Sequence, residues 1–281
     1  MRIANAGGRA HVLVGDRGVD VATASAGRFG HDPMEIFARW DEFRAWMAAT
    51  DLVGGEIIDT GILGAPSPRP RQVFAVASNY NGRASILDVS PDLPVVFTKF
   101  PGSIVGPNAP LPLPSATVDW EVELVVVIGR PARHVSGAEA WNVVAGVTVG
   151  QDFSERTLQL GGAAKQFSLG KSFPNFGPTG PVLVTPDELT DPDNIRLECL
   201  VNGESMQDAR TASMIFPVAE LIARLSAVCE LFPGDLIFTG TPGGMGMSMT
   251  PQRYLAVGDE VLSRIEGVGE FRTKCMVVPT P

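Results

Sequence analysis

One stretch constrains this chain more than any other: VDWEVELVVVIG, from Val118 to Gly129. Its second half is wholly apolar and rich in the β-branched residues that suit a buried strand, while its first half holds Asp119, Glu121 and Glu123. Strand residues alternate between faces, so Glu121 and Glu123 point the same way. Two carboxylates buried side by side lose hydration and repel one another unless something positive stands between them. From spacing alone, a glutamate paired with a lysine and a second at the surface explains the pattern equally well.

The rest of the composition fits a strand-rich fold. The 281 residues include 31 Gly and 23 Pro, which with many Val and Ile runs predicts a mixed α+β, β-rich, turn-rich protein rather than a helical bundle. A chain of this length holds one large domain, or one domain and a small extra unit. The formal net charge of -9 argues against nucleic acid and anionic membrane as general partners. Cys199, Cys229 and Cys275 lack metal-ligand spacing and are expected to be buried free thiols. No segment approaches the ~20 apolar residues of a membrane helix. The first residues, MRIANAGGRAHVLVG, lack the apolar core of a signal peptide, so the cytoplasm is the expected location.

Residues 1–68 read as a small leading α+β unit, followed by the main domain at 69–281. HVLVG and VDVAT are expected strands. DPMEIFARWDEFRAWMAAT is an expected helix, with Ile36, Phe37, Trp40, Phe43 and Met47 on one face. The Pro- and Arg-rich GAPSPRPRQ, Gly64 to Gln72, marks the boundary. In the main domain VFAVASNY, DWEVELVVVIG, VTVGQD and DLIFTG are expected strands. Asn202-Gly203 predicts a hairpin, and PVAELIARLSAVCEL predicts an amphipathic helix entered at Pro217. SGAEAWNVVAG predicts a helix with Ser136 as cap, Glu139 in the capping box and Gly146 as its end.

Three motifs carry chemistry. Glu121 and Glu123, with Asp152 at the end of a later strand, offer the oxygen ligands that a hard divalent cation prefers. His11, His31 and His134 lie in none of these motifs, which disfavours zinc. In DFSERTLQ, Arg156 and Gln159 are three apart and share a helical face; the planar guanidinium suits a carboxylate, though an exposed loop arginine fits as well. GKSF places Lys171 beside Gly170, and TGTPGG places Thr239, Gly240 and Thr241 in a turn after a strand, where an oxyanion can be held. TGTPGGMG lacks the lysine of a phosphate-binding loop.

In order and spacing, VDWEVELVVVIG, VAGVTVGQDFSERTLQ, QFSLGKSFPNFGPTGP, VNGESMQDARTASMIFPVAELIARLS and PGDLIFTGTPGGMGM resemble the fumarylacetoacetate hydrolase family, from about residue 73 to the end. The resemblance implies a β-barrel-like roll of mixed sheets with a variable N-terminal subdomain. It implies a Mg²⁺ or Mn²⁺ ion held by Glu121, Glu123 and Asp152. It places Arg156, Gln159, Lys171 and Thr241 toward a small 2-oxo or β-diketo acid, with Tyr80, Thr239 and Gly240 in the substrate site. It also implies a homodimer, for which PNFGPTGPVLV is a candidate interface segment.

The chain departs from that family at one place. Hydrolytic members carry Asn-Tyr-x-x-His-x-x-Glu, whose histidine and glutamate activate water; here NYNGRASI puts Arg83 and Ile86 at those positions. Arginine stays protonated and cannot act as an ordinary base. Arg83 is expected either to bind a second substrate carboxylate or to stand at the surface. By family resemblance the leading expectation is metal-dependent C–C hydrolysis of an acylpyruvate, followed by decarboxylation of an oxaloacetate-like acid and keto–enol or double-bond isomerisation. The missing pair favours the latter two, and a non-catalytic 2-oxo acid binder is the remaining alternative.

Overall fold

The apolar run forms the strand Val122–Ile128, buried at every position. Val122, Leu124, Val126 and Ile128 join one core, while Val125 and Val127 join another on the opposite face. Each fully buried aliphatic side chain of this size contributes ~1.5–3 kcal/mol, so the run anchors both cores. A computed structural model describes residues 1–81, 92–163 and 165–278. Arg83 and Ile86 therefore lie outside the described residues.

Val122–Ile128 pairs antiparallel with Val144–Gln151 and with Leu236–Phe238 at the centre of a 12-stranded mixed sheet. That sheet is open, running from Glu56–Ile57 at one edge to Val95–Thr98 at the other. One of its faces is covered by the helices Pro33–Ala38 and Trp40–Ala48, which bury Ile36, Phe37, Trp40 and Phe43. A second, 5-stranded sheet begins at the edge strand Glu204–Arg210 and contributes Leu197, Cys199, Val261 and Phe271 to the other core. The first strand, Arg2–Ala6, joins the large sheet by pairing with Gly177–Val184.

The architecture is the mixed, β-rich one expected, and several local elements differ. The single helix expected after Asp32 divides at Arg39, which leaves helical geometry at φ -126 and ψ 38. The VDVAT strand stops at Asp20, whose carboxylate accepts the Thr23 N–H at 2.8 Å and starts a helical turn, Val21–Ala24. SGAEAWNVVAG becomes a 3₁₀ helix over Gly137–Val143. The Ser136 hydroxyl turns to Glu139 instead of capping the backbone. Gly146 lies inside the following strand, where an added Cβ would stand 2.5 Å from the Val184 carbonyl oxygen. The hairpin forms at Asn202 and Gly203, both at positive φ. The three cysteines are free thiols, but Cys229 is only half-buried. The segment PNFGPTGPVLV contains the strand Gly177–Val184, which lies between Arg2–Ala6 and Val144–Gln151 in the large sheet. Among the described residues no helix is long and apolar enough to cross a membrane.

Candidate active site

Glu123 lies in the strand Val122–Ile128 and Glu121 immediately before it, at the end nearest Asp152. The antiparallel register pairs Val122 with Gln151, so Asp152 follows directly beside Glu121, and its N–H donates to the Glu121 carbonyl at 2.9 Å. One carboxylate oxygen from each of Glu121, Glu123 and Asp152 lies within 4.8 Å of the others. All three side chains are buried. Burial, then the charges of Asp152 and Glu121, push the Glu123 carboxyl well above the usual carboxylate range.

Protein cations surround this cluster. The Lys171 ammonium pairs with Glu121 Oε2 at 2.8 Å and with Asp152 Oδ2. It also lies 5.1 Å from the centre of the Phe97 ring, a favourable cation–π placement. Lys99 donates to Asp152 Oδ1 at 2.7 Å, to the Lys171 carbonyl and to the Phe176 carbonyl. Burial lowers the Lys99 pKa, while Asp152 opposes that shift. Arg156 opens the short helix Arg156–Leu160. Its Nη2 reaches Glu121 Oε1 at 2.8 Å, its Nε reaches Asp119 Oδ2 at 2.9 Å, and its Nη1 reaches Gln159 Oε1 at 2.8 Å. Burial works against the guanidinium charge, but Glu121 and Asp119 outweigh it and raise its pKa.

The turn after Leu236–Phe238 closes on the same carboxylates. Gly240 N donates to Glu123 Oε2 at 2.7 Å. Gly240 has φ +98, and a Cβ there would lie 2.8 Å from Asn79 Cβ, so only glycine can present this N–H at such close range. Thr239 Oγ1 donates to the Leu124 carbonyl and Thr241 Oγ1 to the Val122 carbonyl, each at 2.8 Å. Tyr80 is 2 % exposed, and among the described residues its hydroxyl has no hydrogen-bond partner. Burial and the Glu123 charge push its pKa up, so the phenol stays protonated.

The structure thus brings Glu121, Glu123, Asp152, Lys171, Arg156, Gln159, Thr239, Gly240, Thr241 and Tyr80 into one region, with Arg83 outside the described residues. Sequence reasoning gave no site role to Lys99, Asp119, Asn79, Gln151 or Gln207. Lys99 had a visible signal, a lone lysine closing the apolar run VVFT. Asn79 matched the family motif, yet its task is structural: its Nδ2 donates to the Phe216 and Thr239 carbonyls at 3.0 and 2.7 Å. Gln151 and Gln207 supply the acceptors that the interrupted strand cannot, for Glu121 N at 2.8 Å and Val122 N at 3.0 Å. The donor set fits a hard divalent cation: three buried carboxylates converge, and the cluster contains neither histidine nor cysteine.

Comparisons with known proteins identify the family. The family described as fumarylacetoacetate (FAA) hydrolase C-terminal matches residues 72–276. A mitochondrial oxaloacetate tautomerase, FAHD2A of Bos taurus, is 46% identical over 213 residues, covering 75% of this chain and 68% of that protein. A solved structure of a Mycobacterium smegmatis protein is 52% identical, with TM-score 0.94, covering 99% of this chain and 100% of that one. Maleylpyruvate hydrolase from Sphingobium sp. SYK-6, solved with manganese(II) and pyruvate, is 27% identical with TM-score 0.81 over 99% and 100% of the two chains. Its carboxylate cluster, its fold and these matches together make this chain a member of the fumarylacetoacetate hydrolase family.

Proposed function

We propose that this protein is a divalent-cation-dependent enzyme that interconverts the keto and enol forms of a small 2-oxo dicarboxylic acid of the oxaloacetate type. One observation carries the reading. The site keeps a buried carboxylate cluster with a lysine ammonium against it, but the sequence has Arg83 and Ile86 where a water-activating histidine and glutamate would stand. Keto–enol exchange needs no activated water. It moves one proton between C3 and the 2-oxo oxygen and consumes nothing else. The 46% identity to an oxaloacetate tautomerase supports the same substrate class.

Glu121, Glu123 and Asp152 would hold the ion, Mg²⁺ or Mn²⁺, which when bound supplies a Lewis acid for a 2-oxo carboxylate. Lys171 is the side chain placed to carry the proton, since its ammonium already lies against two of the three carboxylates. The buried phenol of Tyr80 offers a hydrogen bond to an oxygen that gains negative charge. Gly240 fixes Glu123 through its N–H. Arg156 neutralises Glu121 from the side away from Lys171, with Gln159 holding its remaining arm.

C–C hydrolysis of an acylpyruvate is the second reading, favoured by the maleylpyruvate hydrolase neighbour. Proton NMR of purified protein with oxaloacetate and with acylpyruvates, in Mg²⁺ and then in EDTA, separates the two. The proposal expects Mg²⁺-dependent keto–enol exchange and no acylpyruvate cleavage. Cleavage to pyruvate and a carboxylic acid would replace it with hydrolysis, and carbon dioxide release with decarboxylation. The proposal includes a homodimer, so light scattering should give twice the 29.8 kDa of one chain.

A further inference from the structure

Besides the direct bonds from Thr239, Gly240 and Thr241, a side chain from another sheet links the turn to Val122: Gln207, on the edge strand Glu204–Arg210 of the 5-stranded sheet. The pairing of that strand slips: Cys199 faces Gln207 while Leu200 faces Ser205. Met206 is therefore the extra residue of a β-bulge, and Met206 and Gln207 are both buried in succession. Bulges on edge strands re-aim side chains in this way. The bulge also seats the turn, because Gly244, at φ +103, would place a Cβ only 1.9 Å from the Met206 carbonyl oxygen.

The amide of Gln207 has one possible orientation. Its Oε1 accepts from Val122 N at 3.0 Å, and a backbone N–H can only donate. Its Nε2 therefore faces the turn, donating to the Pro242 carbonyl at 2.9 Å and to Thr241 Oγ1 at 2.8 Å. The carbonyl can only accept, so both ends agree. A Thr241 hydroxyl that accepts from Gln207 sends its own proton to the Val122 carbonyl, 2.8 Å away. Both threads return to Val122, the residue between Glu121 and Glu123.

We propose that Gln207 is a positioning residue: one side-chain amide locks the Thr241 turn to the Glu121–Glu123 strand and fixes the direction of the Thr241 hydroxyl. The inference rests on reading this region as a 2-oxo acid site. Ligand recognition then depends on Gln207, while cation binding by the carboxylates does not.

Calorimetric titration with Mn²⁺, then with oxalate as a planar two-oxygen chelator, tests it. The wild type should bind both. Gln207→Met should keep Mn²⁺ affinity within about threefold and weaken oxalate about tenfold, as expected for one lost hydrogen bond. Gln207→Glu, equal in size but without the donor toward Pro242 and Thr241, should weaken oxalate at least as much while binding Mn²⁺ as tightly or tighter. Combining Gln207→Met with Thr241→Val should cost no more than Thr241→Val alone, because coupled residues are not additive. Additive losses, unchanged oxalate binding in the Gln207 variants, or equal loss of Mn²⁺ and oxalate would overturn the role. A wild type that binds Mn²⁺ but not oxalate would overturn the 2-oxo acid reading and this role together. If Gln207→Met does not fold, Gln207→Glu decides the question alone.

Discussion

Lys99 Nζ and Asp152 Oδ1 lie 2.7 Å apart, and neither side chain is more than 1% exposed. The other oxygen of Asp152 is taken by Lys171, so this carboxylate is balanced by two lysines from different parts of the chain. Removing Lys99 leaves Asp152 Oδ1 without its cation and Lys171 as the remaining partner, and removing one partner of a buried ion pair costs up to ~3–5 kcal/mol. Lys99→Met should therefore lower the melting temperature by roughly 10 °C. Saturating Mn²⁺ should raise the melting temperature of the variant more than that of the wild type, because the ion replaces the missing charge. Differential scanning calorimetry checks both; a shift under about 2 °C would show that the pair is not needed for stability.

Glu123 should show opposite effects on stability and on ion binding. It sits beside Asp152 and Glu121, and its Oε2 accepts from Gly240. Glu123→Gln keeps an acceptor for that N–H and removes a like charge, so the metal-free variant should melt at or above the wild type. Its affinity for Mn²⁺ should fall at least tenfold, about 1.4 kcal/mol. A variant that binds Mn²⁺ normally would remove Glu123 from the ligand set.

Lys171 separates chemistry from assembly. Lys171→Met should reduce turnover by ~10²–10⁴-fold, the range for loss of an acid–base group. Its Mn²⁺ binding should persist, since the carboxylates remain and a competing cation is gone. Full activity in this variant would assign the proton transfer elsewhere.

A pH-dependent prediction concerns the leading unit. Asp20 accepts from Arg9 Nε and Nη2 at 2.8 and 3.1 Å and caps the turn at Thr23. The Arg9 hydrogen bond is the main reason its carboxyl lies well below the usual range. A depressed carboxylate stabilises the fold fully above its unfolded pKa, and that contribution fades as pH falls through its folded value. Asp20→Asn should thus melt below the wild type at pH 7, with the gap narrowing only below about pH 4. A gap that is constant from pH 7 to pH 2 would assign the effect to packing.

The strand Val122–Ile128, the convergence of Glu121 with Glu123, and the position of Asp152 were legible because one period decides all three: alternation along a strand and antiparallel return. Lys171 and the TGTPGG turn were legible as motifs, to which the family resemblance added a substrate-facing role. What escaped were residues whose direction depends on an irregularity. Met206 is inserted by a bulge, so counting by twos along VNGESMQ misplaces Gln207. Arg39 breaks a helix whose apolar spacing continues across it. The lysine partners of Asp152 come from residues 99 and 171, and no local pattern joins positions so far apart. Lys171 and Arg156 pair with the two oxygens of Glu121, while Glu123 accepts from Gly240 N.

The central claim is cation-dependent keto–enol exchange at this cluster. The most direct measurement is the ultraviolet absorbance of enol oxaloacetate as it decays to the keto form, followed by stopped flow. Wild-type protein is compared with Lys171→Met at the same Mg²⁺ concentration, which removes the contribution of the free ion. The account predicts rapid decay with wild type and Mg²⁺, loss of the acceleration in EDTA, and a decay with Lys171→Met close to that of the buffer. Equal rates for wild type, variant and buffer in Mg²⁺ would contradict it.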